Sequence, residues 1–156
     1  MRRTDREITD PAQIAEIMRR CDAVCIAFAG DAPYAVPMSF GFEKRDGRFA
    51  LYLHGAQEGE KWTHARQDSR AAFAIYRTMG AITGDTACAH SVAYESVCGS
   101  GTLHELAGED RLRGLAVLME HVAPGRALPI DPRAAEATAV WRLDVEHISG
   151  KRRERK

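Results

Sequence analysis

Three extended runs follow one another early in this chain with only tight turns between them. Residues 24–29 and 34–42 flank Gly30-Asp31-Ala32-Pro33, and residues 48–54 follow a second polar turn at 44–47. In the third run Phe49, Leu51 and Leu53 share one face, while Arg48, Ala50, Tyr52 and His54 share the other. That is the period of two a strand requires. Turns this short leave no room for the crossover that parallel neighbours need, so the strands form an antiparallel meander.

The same constraint runs on through the chain. Residues 70–79 read as a further strand, residues 91–106 as a long one, and Ala139, Trp141, Leu143 and Val145 alternate with polar or outward positions in a last one. Gly99-Ser100-Gly101 interrupts the long strand. Glycines two apart lie on one strand face, which suits either a ligand approaching the backbone or a bulge at a barrel corner, and both readings stand. Residues 80–89 carry two glycines and little pattern, which predicts a loop.

Helices are expected at three places. Asp10-Pro11-Ala12-Gln13 supplies a cap, a proline for the first turn and a capping-box glutamine ahead of Ile14, Ile17, Met18 and Cys21. Residues 60–68 form a short helix with Trp62 and Ala65 inward. Residues 109–122 form a longer one, with Leu112, Leu115, Ala116, Met119 and Val122 as its apolar face. Residues 127–135 read as a proline-containing connection. No repeat or linker divides the chain, so 1–156 is expected to be one domain, with an arm at 1–9 and a solvated basic tail at 150–156. The expected class is mainly β with helices (α+β), a small antiparallel β-barrel of six or so strands.

The stretch that carries chemistry is Leu51-Tyr-Leu-His-Gly-Ala56 with Lys61 beyond it. A strand that ends in exposed amides and delivers a lysine to a helix start is a place to hold an anion, phosphate above all, and so a phosphorylated cofactor. A lysine at a helix start opposes the helix dipole, which favours the functional reading over an idle surface charge. His54 serves either as an ordinary hydrogen-bonding residue or as a catalytic donor beside a cofactor. The other five histidines have no spacing that suggests a metal set, and no metal is expected.

Composition excludes several partners. Lys plus Arg number 22 and Asp plus Glu number 22, so no global basic field attracts nucleic acid. Cys21, Cys25, Cys88 and Cys98 include no C-x-x-C pair, and free thiols fit a reducing cytoplasm. No apolar run approaches the roughly 20 residues that span a bilayer, so no membrane is expected.

Four segments, in order, resemble the FMN-binding split-barrel proteins related to pyridoxamine 5′-phosphate oxidase, and within them the nitroimidazole-reductase-like branch. They are Ala35-Val-Pro-Met-Ser-Phe-Gly41, then Leu51-Tyr-Leu-His-Gly-Ala56 with Lys61, then Tyr94-Glu-Ser-Val-Cys-Gly-Ser-Gly101, and Val140-Trp-Arg-Leu-Asp-Val-Glu-His-Ile-Ser-Gly-Lys151. Leu118-Met-Glu-His121 before a Pro-Gly extends the match. The resemblance implies a flavin-binding split β-barrel that forms a homodimer with FMN at the subunit interface. It places the backbone of Pro37, Met38, Ser39 and Phe40 against the isoalloxazine ring, and His54, Gly55, Ala56 and Lys61 near the ring edge, ribityl chain and phosphate. Ser96, Val97 and Cys98, or Trp141 and Arg142, approach from the partner subunit.

The chain departs from the vitamin B6 oxidase itself. Ala35-Val36-Pro37 stands where that enzyme has a basic residue, and the chain runs twelve residues beyond Asp144 where that enzyme ends soon after its Arg-Leu-Ala-Pro type segment. Activity on vitamin B6 is therefore not implied. The expected function is an FMN-dependent oxidoreductase that reduces a small acceptor such as a nitroaromatic or quinone-like compound, with a deazaflavin as an alternative cofactor. The competing expectation is a non-catalytic flavin- or haem-binding split barrel used for storage or sensing, with His54, His90 or His121 as axial ligands. A zinc-stabilised module has only scattered Cys and His in its support.

Overall fold

The structure is a computed structural model that describes residues 3–126 and 128–155. Met1, Arg2, Ala127 and Lys156, which fall in the expected arm, connection and tail, lie outside the described residues. Among the described residues eight strands form one sheet: β1 (Glu7–Ile8), β2 (Val24–Phe28), β3 (Tyr34–Met38), β4 (Phe40–Arg45), β5 (Arg48–Ala56), β6 (Arg70–Ile82), β7 (Ser91–Leu106) and β8 (Thr138–Arg153). Their order is β3-β2-β6-β7-β8-β5-β4, with β1 paired to β8. Every pairing is antiparallel.

The two edges, β3 and β4, are consecutive in the chain and joined through Ser39 alone. One residue cannot bridge a flat seven-strand path, where neighbours stand about 4.8 Å apart. The sheet must therefore curl until its edges meet, which makes a barrel closed by the chain at one point and not by a ladder of hydrogen bonds. This is the split barrel. Residues 34–42, expected as one extended run, are two strands on opposite edges. Pro37 is tolerated because β3 pairs on one side only.

One face of every long strand lines a single core. Ile26, Phe40, Leu51, Leu53, Ile75, Val97 and Leu143 have essentially no exposure there. Helix α1 (Pro11–Arg19) closes the end near Gly150 with Ile14, Ile17 and Met18. Its start is as expected: the Asp10 carboxylate accepts from Ala12 N–H at 2.9 Å, with Pro11 in the first turn. Helix α2 (Glu60–Gln67) buries Trp62 and Ala65 at the other end, and the Trp62 and Trp141 rings stack 5.1 Å apart.

Helix α3 (Gly108–Val122) lies outside the barrel over β4 and β5, and its buried face differs from the expected one. Gly114 and Leu118 are buried, whereas Leu112 and Val122 are exposed. Close packing, and not the densest apolar stripe, selects the face. A Cβ on Gly114 would stand 3.0 Å from Tyr52 and Val140 side chains, and one on Gly41 would stand 2.6 Å from the Val117 carbonyl oxygen. Two glycines let helix and sheet approach. The helix is then pinned by a polar pair: buried Tyr52 donates its hydroxyl to Glu43 at 2.6 Å, and Arg113 of α3 grips the same carboxylate at 3.1 Å.

Three further expectations change. β6 continues through Gly80 (φ 97°) to Ile82 after a register shift, where a loop was expected from residue 80. A short helix, α4 (Pro132–Glu136), occupies the expected connection, started by Asp131-Pro132 just as Asp10-Pro11 starts α1. The basic tail is not frayed at its start: Lys151, Arg152 and Arg153 are ladder residues of β8, opposite Ser96, Glu95 and Tyr94.

Candidate functional site

The seam between β3 and β4 presents its backbone at the surface. Pro37 and Ser39 are exposed, while Met38 and Phe40 alternate inward into the core. Of the four residues expected against a cofactor ring, only Pro37 and Ser39 offer side chains; Phe40 has no exposure and packs 4.4 Å from the His121 ring. β4 pairs with β5 so that Phe40 faces Leu53. One step further along that register sets Ser39 beside His54. The seam and the end of β5 are therefore one continuous surface.

At that end the chain makes a cradle. Lys61, in the first turn of α2, folds back over Gly55, where an added Cβ would meet its Nζ at 2.9 Å and its Cε at 3.0 Å. The ammonium lies 5.2 Å from the Trp62 ring centroid, and Trp62 is itself fixed by donating its indole N–H to the Ala56 carbonyl at 2.7 Å. Lys61 makes no ion pair among the described residues. Its charge is thus held in place without being neutralised, which is what an incoming phosphate requires. The φ of Gly59 is 129°, so glycine suits the turn that carries the chain into α2.

His54 is half-buried on the outer face of β5. Burial pushes its pKa down, and the nearby Lys61 charge pushes the same way, so the imidazole is kept neutral. A neutral ring can donate from one nitrogen and accept at the other. Because the folded pKa lies below the unfolded value of roughly 6.5, protonation favours unfolding. The stability this supplies is complete above that pH and is lost as pH falls through it toward the folded value. Melting temperature should therefore drop more steeply between about pH 7 and 5 in the native chain than in His54→Gln. Parallel curves would contradict a depressed pKa.

The second group of expected residues divides. Val97 has no exposure and belongs to the core. Ser96 and Cys98 point the other way, to the outer face, where Cys98 is exposed. The registers align Pro37 (β3), Cys25 (β2), Ala74 (β6), Cys98 (β7) and Ser149 (β8) in one row across five strands. Ala35, Ala27, Ala72, Ser100 and His147 form the neighbouring row. The seam and the Ser96–Cys98 region thus share one sheet face of small side chains, part of it exposed.

Trp141 and Arg142 are neighbours on β8 and so point to opposite faces. Trp141 is 3% exposed, stacked on Trp62, with Arg66 5.6 Å from its ring centroid. Its indole N–H has no partner among the described residues, the kind of orphan that a bound group or an ordered water satisfies. Arg142 lies outside the barrel and is engaged by Asp144 at 2.7 Å, away from the Lys61 cradle. Sequence reasoning gave Arg66 no role. Its four-residue spacing from Trp62 on one helix face was the available signal.

Of the histidines weighed as axial ligands, His121 is committed. Its Nε2 bonds the Cys21 carbonyl at 3.0 Å, and Phe40 and Phe42 flank the ring. His90 stands exposed after a short 3-10 turn. No group of three or more metal-ligating side chains occurs among the described residues. No described helix is long and apolar enough to cross a membrane.

A family model described as pyridoxamine 5′-phosphate oxidase matches residues 10–152. A search of curated proteins finds no match. Among solved structures, a candidate 5-nitroimidazole antibiotic resistance protein from Bacteroides thetaiotaomicron is 26% identical, with a TM-score of 0.77 over 93% of this chain and 85% of that one. An FAD and haem binding protein from Mycobacterium smegmatis is 25% identical, with a TM-score of 0.80 over 96% of this chain and 74% of that one. The flavocytochrome Anf3 from Azotobacter vinelandii shares the fold at 20% identity, with a TM-score of 0.81 over 99% of this chain and 72% of that one.

Proposed function

Because the chain belongs to the pyridoxamine 5′-phosphate oxidase family, we propose that it is an FMN-dependent oxidoreductase that delivers electrons to a small nitroaromatic or quinone-like acceptor. The observation that carries this reading is the cradle in which Gly55 and Trp62 hold a Lys61 ammonium that has no ion pair among the described residues, near His54 on the strand that the seam adjoins. FMN combines a flat ring with a dianionic phosphate, and these residues fit both parts. When bound, the flavin supplies the electron-transfer chemistry.

The chain's own residues bind and orient. Lys61 would neutralise phosphate charge, and the exposed backbone at Pro37 and Ser39 would lie against the planar ring. His54, kept neutral, donates or accepts a hydrogen bond at the ring edge or to the acceptor. No dedicated acid–base pair is needed. The row of small residues from Pro37 to Cys98 is the surface for a second copy of the chain, which would cover the open side of the ring and make the protein a homodimer. Four free cysteines are in keeping with a cytoplasmic protein.

The dianionic phosphate of a flavin, or of a deazaflavin built on the same plan, pairs with the Lys61 point charge more strongly than a haem propionate monoanion does. The haem-binding neighbour keeps the non-catalytic reading as the alternative, with half-buried His54 or exposed His90 as its axial ligand. The test is reoxidation of the chemically reduced, flavin-loaded protein by a nitroaromatic under anaerobic conditions, with light scattering on the same sample. Reoxidation faster than that of free FMN, from a dimer, supports the reading. Reoxidation no faster than free FMN removes the catalytic part, and a flavin-loaded monomer removes the dimer.

A further inference from the structure

Opposite the cofactor cradle, at the end of the barrel near α1, a carboxylate is buried where the proposed activity makes no use of it. Glu95 on β7 is 1% exposed and floors a groove of about 460 Å³. Three guanidiniums from three different elements converge on it. Arg20, just after α1, donates Nε and Nη2 at 2.9 and 3.1 Å. Arg77 of β6 donates Nε at 2.7 Å, and Arg152 of β8 donates Nε at 3.3 Å. Burial alone would raise the Glu95 pKa, but the Arg20 and Arg77 bonds outweigh it and hold the group ionised.

One guanidinium is enough to pair one carboxylate; three overcompensate it. Arg20 spends its remaining nitrogen on exposed Glu16. Arg77 and Arg152 are different, since each is anchored by Nε only, and their terminal Nη groups make no hydrogen bond among the described residues. Arg155 lines the same groove and makes no ion pair among the described residues. The groove holds four arginines against Glu16, Glu95 and Glu154, in a chain whose net charge is zero. A buried carboxylate that fixes guanidiniums by their Nε edge leaves the Nη edge pre-oriented. That edge is the fork which fits two oxygens of a tetrahedral oxyanion.

We propose that the groove floored by Glu95 is a binding site for a phosphate-class oxyanion, held by the free Nη edges of Arg77 and Arg152. Glu95 is a positioning residue and does not touch the ligand. The anion is either free in solution or the phosphate of a nucleotide, and the chemistry of recognition is shared.

Calorimetric titration of the flavin-loaded full chain with inorganic phosphate, pyrophosphate and ADP tests this. Saturable binding is expected, weakened by roughly tenfold or more in Arg77→Gln and in Arg152→Gln. Flavin already fills the Lys61 cradle in this sample, so binding that titrates reports a separate site. ADP binding well above pyrophosphate identifies a nucleotide source; equal affinities identify a free anion; both support the site. Arg152→Gln is the milder variant, because Arg20 and Arg77 still satisfy Glu95. Independently of any variant, pyrophosphate should raise the native melting temperature beyond the effect of chloride at equal ionic strength. No saturable binding up to about 10 mM of any probe, or binding that both variants leave intact, overturns the proposal.

Discussion

Gly101→Ala is expected to destabilise this chain by about 3 kcal/mol or more, at the upper end of what overpacking costs. The added methyl would be driven into the Asp144 carbonyl oxygen, 2.9 Å from the carbonyl carbon and 3.1 Å from Val145 Cα. All of these are backbone atoms of β8, and a strand paired along its length cannot step aside. The contact arises because the β7–β8 register shifts between Ser100 and Gly101, so that Glu146 is passed over as the ladder moves from His147 to Val145. Gly99 is confined in the same way, with Phe73 Cζ 2.6 Å from its would-be Cβ. The glycine pair thus belongs to a bulge in the barrel wall, and the backbone that approaches is the protein's own. Thermal unfolding should show Gly101→Ala melting roughly 6–12 °C below the native chain. Ser100→Ala, between the two glycines, should stay within about 0.5 kcal/mol. Equal melting of Gly101→Ala and the native chain would mean that the strands do not cross so closely.

Lys61→Ala should leave the fold intact and weaken flavin binding by about 2 kcal/mol, roughly thirtyfold, the worth of a hydrogen bond between charged groups. Lys61→Glu replaces attraction by repulsion and should weaken it beyond about a hundredfold. Gly55→Ala should mimic part of this loss without touching the charge, because its methyl displaces the ammonium from its seat. Fluorescence titration of the stripped protein with FMN measures all three. Full affinity in Lys61→Glu would place the phosphate elsewhere.

Much of this architecture was legible in the sequence because two periods dominate it. The alternation in residues 48–54 fixed β5 and its two faces, and Asp10-Pro11 fixed the start of α1. The end of β5 and the lysine beyond it read as an anion site from residue types alone, and the fold lays Lys61 over Gly55. What stayed hidden depends on contacts between distant segments. Nothing local marks Ser39 as the point where opposite sheet edges meet, since residues 34–42 are extended throughout. The inward face of α3 is set by Gly41 and Gly114, whose value lies in what they omit. The resemblance groups Trp141 with Arg142, yet the strand period sends them to opposite sides of the wall. The basic end of the chain reads as solvated from composition, and only its pairing with β7 brings Arg152 onto Glu95.

The central claim is that the surface joining the seam, His54 and Lys61 holds FMN. The most direct test is the visible absorption spectrum of the freshly purified protein, with mass analysis of what heat releases. A yellow protein that releases FMN, and that loses its colour in Lys61→Glu, is the result this account predicts. A sharp haem band, or a colourless protein that takes up no added flavin, would contradict it.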